Sequence, residues 1–525
     1  MGAIRRLKGW EWALAAAALA AIAISLLQLL GDERWVEREG IAIGDTPATI
    51  YWPAEGPADG PVVLVSHGFA GARPLMDPFA LTLAANGYTA VSFDYLGHGR
   101  NPEPLHGDIT AQEGAAQALV DQTRAVAEYV QGREDLGEVT AVLGHSMASN
   151  IIVRYAQEVG DIEATVGVSM FAPTVDAESP ANLISIVGGL ERRLKEEGQR
   201  VVAMVADEEP EDIVPGRTYG DHEAGTARRL AVAPGVEHVG VLYSSTSLEE
   251  AIAWLDAALE RESEGHIASR GPWIVLLLVA VIALARPLSR LLGRVPPSGP
   301  SPGADWRRLG LVAGVPALLT PLILAPVPTD FLPVLIADYV AAHFAVYGLL
   351  SGAMLWWVAG RPGVTAMVQA ARPQAGSARL LLAVAALLVY SVLVLGAVLD
   401  AFVTVFYPIP ERLPIILAIL AGTLPFFLTD EWLTRGERSV RGAYPLTKLT
   451  FLLSLGIAVA LDPDGLFFLL LIVPVVVVFF VIYGIFSRWS YRGTGNPLVA
   501  GLANAMAFAW ALGVTFPMLG PDAMG

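Results

Sequence analysis

There is no cysteine anywhere in the 525-residue chain. Disulfide frameworks and thiolate chemistry are both excluded, so a covalent nucleophile must be an alcohol or another group. Charge is scarce as well: 16% of residues are Asp, Glu, Lys or Arg, against 54% that are hydrophobic. A single soluble domain does not have that balance, and part of the chain belongs in lipid. No HExxH segment and no paired His/carboxylate cluster occurs, which argues against metal catalysis; no metal or other cofactor is expected. Basic residues are outnumbered, 34 to 51, for a net charge of −17. That deficit is local: residues 31–270 hold 39 acids and 16 bases, a balance of −23, while the remainder has a balance of +6. A surface so acidic repels phosphate, which argues against nucleic acid or anionic lipid head groups as the main partner of that segment.

Long hydrophobic runs, by contrast, are abundant. Residues 12–30 are almost all Ala, Leu and Ile, and at ~1.5 Å per residue they extend about 28 Å, enough to cross the hydrocarbon. The run exceeds the roughly 7–15 residues of a signal-peptide core, and no small-x-small site precedes Gly31-Asp32-Glu33-Arg34. It reads as a signal anchor. Eight further runs follow at 272–285, 309–327, 334–358, 380–406, 415–428, 449–461, 466–486 and 498–519, nine spans in all. The runs at 272–285 and 449–461 need flanking residues to reach full thickness. Arg5, Arg6 and Lys8 put the N-terminus in the cytoplasm. Alternation then places the loops 286–308, 359–379, 429–448 and 487–497 inside too, and these are the arginine-rich ones. They carry Arg286, Arg290, Arg294, Arg307, Arg308, Arg361, Arg372, Arg379, Arg435, Arg438, Arg441, Lys448, Arg488 and Arg492, whereas the opposite loops offer Asp330, Glu411, Arg412, Asp462 and Asp464. The expected organisation is an anchor at 1–34, an extracytoplasmic domain at 35–262, a linker at 263–271 and a polytopic all-α membrane region at 272–525. Trp10, Trp12, Trp35 and Trp273 suit interfacial anchoring, and residues 296–302 read as a flexible Pro/Gly/Ser linker.

Within 31–270 short β-branched runs alternate with helical patterns, the signature of an α/β domain with a mostly parallel sheet and helices on both faces. Segments 35–43 and 48–52 form an opening hairpin; buried strands are expected at 62–66, 89–94, 139–143, 164–171, 183–187 and 229–233. Helices are expected at 78–85, 111–130, 147–158, 190–205 and 248–260.

Three motifs stand at strand ends. Gly144-His145-Ser146-Met147-Ala148 joins a strand to a helix and matches a nucleophile elbow, which needs small neighbours because the turn is strained and closely packed. Its last position holds Ala148 where the pattern has Gly, one methyl more. Earlier, the 62–66 strand runs into His67-Gly68-Phe69-Ala70-Gly71, where the N–H groups of Phe69 and Met147 would converge as an oxyanion hole. Between them lies Asp94-Tyr95-Leu96-Gly97-His98-Gly99. In these three motifs, over about residues 35–262, the chain resembles the α/β-hydrolase superfamily, in its serine-aminopeptidase-like and monoglyceride-lipase-like branch. The resemblance implies the α/β-hydrolase fold, a Ser146 nucleophile, and the chain order Ser, acid, His.

A serine nucleophile needs an imidazole within reach and a carboxylate to fix that imidazole's tautomer. Only His222 and His238 come late enough in the domain, and His238, just after the last strand, is the expected base; His222 sits in a Tyr-Gly-Asp-His turn. Glu191, after Gly188-Gly189-Leu190, is the expected acid, with Asp176 and Glu178 as competitors and a helix-dipole role as its bland alternative. His98 is read as structural, and His145 fits either role. Only ten residues separate Phe171 from Asn182, too few for a helical lid; the outer face of the membrane region could then cover the site. Asp338, His343 and Asp400 lie within apolar spans, where ionisable groups are costly and frequently functional. The expected activity is hydrolysis of an ester of a small-molecule or lipid-like acyl group. A peptidase or acyltransferase with the same triad, or a polytopic transporter or scaffold with a ligand-binding domain, remain the alternatives.

Overall fold

The computed structural model describes residues 7–54, 60–109, 113–295, 304–358, 378–435 and 439–523. Arg5, Arg6, Arg361, Arg372, Arg438, the 296–302 linker and the start expected for the helix at 111 lie outside them. By contacts the chain divides into two units, one containing the sheet, with residues 23–277, 399–405 and 517–525, and one made of helices.

The sheet unit has nine strands: β1 (Val36–Ile43), β2 (Thr46–Pro53), β3 (Val62–Ser66), β4 (Thr89–Phe93), β5 (Val139–His145), β6 (Ala164–Val168), β7 (Leu183–Gly188), β8 (Thr218–Tyr219) and β9 (Arg228–Ala233). Their order is β1-β2-β4-β3-β5-β6-β7-β9-β8. β1, β2 and β8 run antiparallel to their neighbours, and β4, β3, β5, β6, β7 and β9 form a parallel core. Continuous apolar runs in β3 to β7 follow from burial on both faces. Val63, Val65, Ala141, Leu143, Val166 and Ile186 face a cluster that includes Phe79 and Trp254 from α2 (Arg73–Ala85) and α6 (Ser245–Ala258). On the other side α4 (Met147–Val159) and α5 (Arg192–Ala206) cover Leu183, Val187 and Leu230, and α3 (Ala115–Gln131) packs on α4. Alternation along each strand sends neighbouring residues to opposite faces.

Several local features differ from expectation: the strand expected at 164–171 ends at Val168. α2 opens at Arg73, five residues before the expected start, because Pro74 suits a first helical turn. α5 begins at Arg192, since residues 189–191 turn back toward the strand ends. β8 is too short to show in the sequence pattern and exists only through pairing with Arg228 and Arg229.

Two segments remote in the chain also belong to this unit. Leu105 pairs with Leu519, with backbone bonds Leu105 N–H to Met518 O (2.8 Å), Met518 N–H to Gly97 O (2.9 Å) and Gly520 N–H to Leu105 O (2.8 Å). Asp400 accepts two hydrogen bonds from one Arg100 guanidinium nitrogen, at 2.7 and 2.9 Å, so this acid at the end of an apolar span has a counter-ion.

Nine helices among the described residues are long and apolar enough to cross a membrane. They are α1 (Gly9–Gly31), α7 (Gly271–Leu288), α8 (Trp306–Leu324), α9 (Ala337–Val358), α10 (Ala378–Phe402), α11 (Leu413–Arg435), α12 (Ala443–Leu461), α13 (Phe467–Thr494) and α14 (Pro497–Thr515). α9 and α11 approach at glycine: a Cβ on Gly422 would lie 2.3 Å from Ala341 O, and one on Gly348 would lie 2.3 Å from Phe426 N. Close backbone contact of this kind is how helices gain dispersion energy where no hydrophobic effect drives them together. Buried polar groups are matched across helices: Lys448 with Asp430, Ser487 with Glu431, and His343 Nε2 with Ser454 Oγ at 3.0 Å. Asp338 Oδ1 accepts the N–H of Tyr339 at 2.7 Å.

Candidate active site

β5 ends at a sharp turn into α4, and Ser146 occupies it with φ 54° and ψ −117°. A left-handed φ is strained for any residue with a Cβ, and the surroundings must hold it. They do so by close packing. A Cβ on Gly144 would stand 2.8 Å from Ala148 O, and one on Gly68 would stand 2.9 Å from Ser146 Cβ. The Ser146 N–H donates to Val168 O at 2.8 Å. Ala148, the departure from the glycine pattern, is fully buried.

His238 follows β9 in a loop, and its Nε2 lies 2.8 Å from Ser146 Oγ. Its Nδ1 lies 2.6 Å from Glu191 Oε1. Glu191 Oε2 in turn accepts the Gly188 N–H and the Ser169 hydroxyl, each at 2.7 Å. Burial by itself raises the Glu191 pKa, but the hydrogen bonds from His238, Ser169 and Gly188 outweigh it and hold the carboxyl below its ordinary range. A carboxylate can only accept, so Nδ1 carries a proton and Nε2 presents its lone pair to the hydroxyl. The structure thus brings together three groups drawn from the ends of β5, β7 and β9. Asp176 is engaged elsewhere: its Oδ1 accepts the N–H groups of Glu178 and Ser179 at 2.9 and 2.7 Å, closing a turn of its own. Glu178 is part of that turn. His222 packs its ring edge-on to Trp254.

The neighbouring histidines work on the backbone. His145 Nε2 lies 2.9 Å from His238 O, and because a carbonyl can only accept, Nε2 is the protonated nitrogen. Burial, reinforced by the nearby His238, pushes the His145 pKa down to about 3, so this ring is neutral. His67 Nε2 accepts the Tyr95 N–H at 3.1 Å, which leaves Nδ1–H to bond Gly68 O at 2.8 Å and fix the loop carrying Phe69. Burial lowers the His67 pKa too. His98 packs on His67 and edge-on to Phe69. Asp94 is buried and accepts the N–H groups of Arg73 and Arg100 at 2.9 and 3.1 Å, tying both loops together. Met147 opens α4 directly after Ser146, so its N–H stands at a helix N-terminus beside the Ser146 hydroxyl.

Ser169 is the contribution that sequence reasoning missed, and the structure gives His145, open to either role in the sequence, a bond to the His238 backbone. The available signal for Ser169 was its place one residue past β6, beside the end of β7 in a parallel pair. Among the described residues no group of three or more His, Asp or Glu could hold a metal ion.

Large apolar side chains are exposed in loops that follow strands of the sheet. The His238 side chain is 43% exposed, and Phe171, Leu190 and Val239, which follow β6, β7 and β9, are 60%, 68% and 46% exposed.

Residues 58–203 match the family model described as serine aminopeptidase, S33. That stretch contains Ser146 and Glu191 and ends before His238. An uncharacterized protein of Mycobacterium tuberculosis, in strains H37Rv and CDC 1551 / Oshkosh, is 31% identical over 107 residues. The match covers 20% of this chain and 35% of that protein, so the chain spans about a third of the curated relatives it matches. Among solved structures, an epoxide hydrolase from Vigna radiata is 23% identical with TM-score 0.21, covering 27% of this chain and 42% of that one. A thermostable carboxyl esterase from Bacillus coagulans is 19% identical with TM-score 0.21, covering 26% and 44%.

Proposed function

We propose, on the premise that this chain joins a hydrolase-like α/β-hydrolase domain to a set of membrane-type helices, that it is a serine hydrolase cleaving esters of apolar acyl groups at the membrane surface. The observation that carries the reading is the continuous hydrogen-bond chain from Ser146 through His238 to Glu191, 2.8 and 2.6 Å long. Ser146 Oγ attacks the ester carbonyl while His238 Nε2 takes its proton. The carbonyl oxygen gains charge toward the Phe69 and Met147 N–H groups, an interaction worth ~10²–10³ in rate per donor. The C–O bond to the alcohol then breaks, with His238 returning the proton to the leaving oxygen and the acyl group remaining on Ser146. Water, losing its proton to Nε2, attacks the acyl-enzyme; Ser146 is regenerated as the carboxylic acid leaves.

The exposed apolar side chains of Phe171, Leu190 and Val239 favour an acyl chain over a charged substrate. The arginines at 286, 290, 294, 307, 308, 379, 435, 441, 488 and 492 lie at the ends that alternation assigns to one side, which supports an extracytoplasmic hydrolase domain in a multi-pass protein.

A fluorophosphonate probe on purified full-length protein tests the reading, followed by a series of acyl p-nitrophenyl esters and aminoacyl amides. The expected result is labelling abolished by Ser146→Ala and turnover that rises with acyl length. Faster cleavage of amides bearing a free amino group would move the assignment to a peptidase. Absence of labelling in folded protein would remove the enzyme altogether.

A further inference from the structure

A cavity also lies among the membrane-type helices. α7, the turn after it, α10 and α13 line a half-open cavity of about 320 Å³ whose walls include Leu288, Leu292, Leu387, Tyr390, Phe486 and Trp489, which falls in the size range of small-ligand pockets. Its hydroxyls are already engaged with backbone: Tyr390 donates to Val281 O, Ser289 to Arg286 O and Ser490 to Ser487 O. What the cavity offers a guest is therefore hydrocarbon.

The end where α7 meets α13 is strongly basic. The two chains touch there: a Cβ on Gly493 would lie 2.4 Å from Ser289 O, and Val295 N–H donates to Thr494 O at 3.0 Å. Arg286 at the end of α7, Arg290 in the turn that follows it, and Arg488 and Arg492 from α13 lie within range of one another's charge. Glu11 binds Arg286 at 3.2 Å and Arg290 at 2.7 Å, and no other carboxylate pairs with the four among the described residues. Arg286 is 8% exposed, and its Nη1 is buried without a hydrogen-bond partner. Arg488 and Arg492 are exposed. Four guanidinium groups against one carboxylate leave a surplus of three positive charges beside an apolar cavity. Like charges held together call for an anion, and the cavity calls for an alkyl chain.

We infer that this is a binding site for an anionic phospholipid, with an acyl chain in the α7–α10–α13 cavity and the phosphate among Arg286, Arg290, Arg488 and Arg492. A zwitterionic lipid supplies the chain but no net charge, and a free phosphate supplies the charge but leaves the cavity unfilled. The inference concerns the helices alone and does not depend on the hydrolase reaction.

Full-length protein in neutral detergent is titrated with dioleoyl phosphatidylglycerol, dioleoyl phosphatidylcholine or glycerol 3-phosphate, reading the thermal midpoint and, by native mass spectrometry, the bound lipid. Phosphatidylglycerol is expected to raise the midpoint saturably and remain bound, while the other two do neither. The exposed pair R488Q/R492Q should weaken phosphatidylglycerol about fivefold per arginine, roughly thirtyfold together. Filling the cavity with Leu387→Trp should abolish retention with the arginines intact. Equal effects of the two lipids, the same shift from glycerol 3-phosphate, no effect of phosphatidylglycerol, or unchanged affinity in R488Q/R492Q would each overturn the site.

Discussion

Replacing Glu191 by Gln tests the proposed mechanism more sharply than deleting the nucleophile, because the change is isosteric and its consequence can be read from the partners. One carboxylate oxygen faces His238 Nδ1 at 2.6 Å; the other accepts the Gly188 N–H and the Ser169 hydroxyl at 2.7 Å each. The Gly188 donor is backbone and cannot reverse, whereas the Ser169 hydroxyl can rotate. An amide at 191 must therefore turn its oxygen toward Gly188 and its NH₂ toward His238. Nδ1 then becomes the acceptor, the imidazole proton moves to Nε2, and the nitrogen 2.8 Å from Ser146 Oγ has no lone pair with which to take a proton. A wrong tautomer of this kind costs ~10³–10⁴ in kcat, or about 4–5.5 kcal/mol of barrier. The assay is steady-state hydrolysis of the best p-nitrophenyl ester together with the rate of fluorophosphonate labelling, in wild type, Glu191→Gln and Ser169→Ala. Ser169→Ala removes one of two donors to Oε2 and should cost about tenfold or less. If Glu191→Gln keeps more than about a tenth of wild-type kcat while remaining folded, the carboxylate does not set the tautomer and the reasoning fails.

Two further outcomes follow from the same geometry. Gly68→Ala puts a methyl 2.9 Å from Ser146 Cβ and 3.0 Å from His145 O; displacing the Phe69 loop by even ~1 Å should lower kcat about 10²-fold, beyond the ~1–3 kcal/mol that overpacking costs in stability, as kinetics and calorimetry on one preparation would reveal. His145 is a base whose pKa falls from 6.5 to about 3 on folding, so below pH ~6.5 the unfolded chain takes up a proton that the folded one refuses. Its contribution is complete above that pH and is lost at roughly 1.4 kcal/mol per unit as pH falls toward 3. The acid limb of the denaturation curve should flatten in His145→Gln, and an unchanged slope would contradict the burial argument.

Several features follow from the linear chain itself. Buried parallel strands announce themselves as short β-branched runs, and apolar helices as runs about as long as a bilayer is thick, because both patterns are local consequences of what surrounds the backbone. The turn at Ser146 is legible for the same reason: Gly144 and the strand-to-helix change are neighbours of the residue they strain. Other features were decided only by the tertiary structure. Glu191 is preferred over Asp176 and Glu178 in the sequence on its place after a strand, but which carboxylate meets His238 depends on how residues 188–191 turn after β7 while Asp176 closes a turn of its own. Ser169 reaches Glu191 because β6 and β7 are paired in register, a relation between strands that no single segment records. His145 could be read as structural or catalytic until its Nε2 was found on His238 O, 93 residues away in sequence. Arg100 and Asp400 are 300 residues apart, and neither has a local pattern that names the other. Periodicity and strain act over a few residues, whereas the partner of a charge or a lone pair is set by where distant backbone comes to rest.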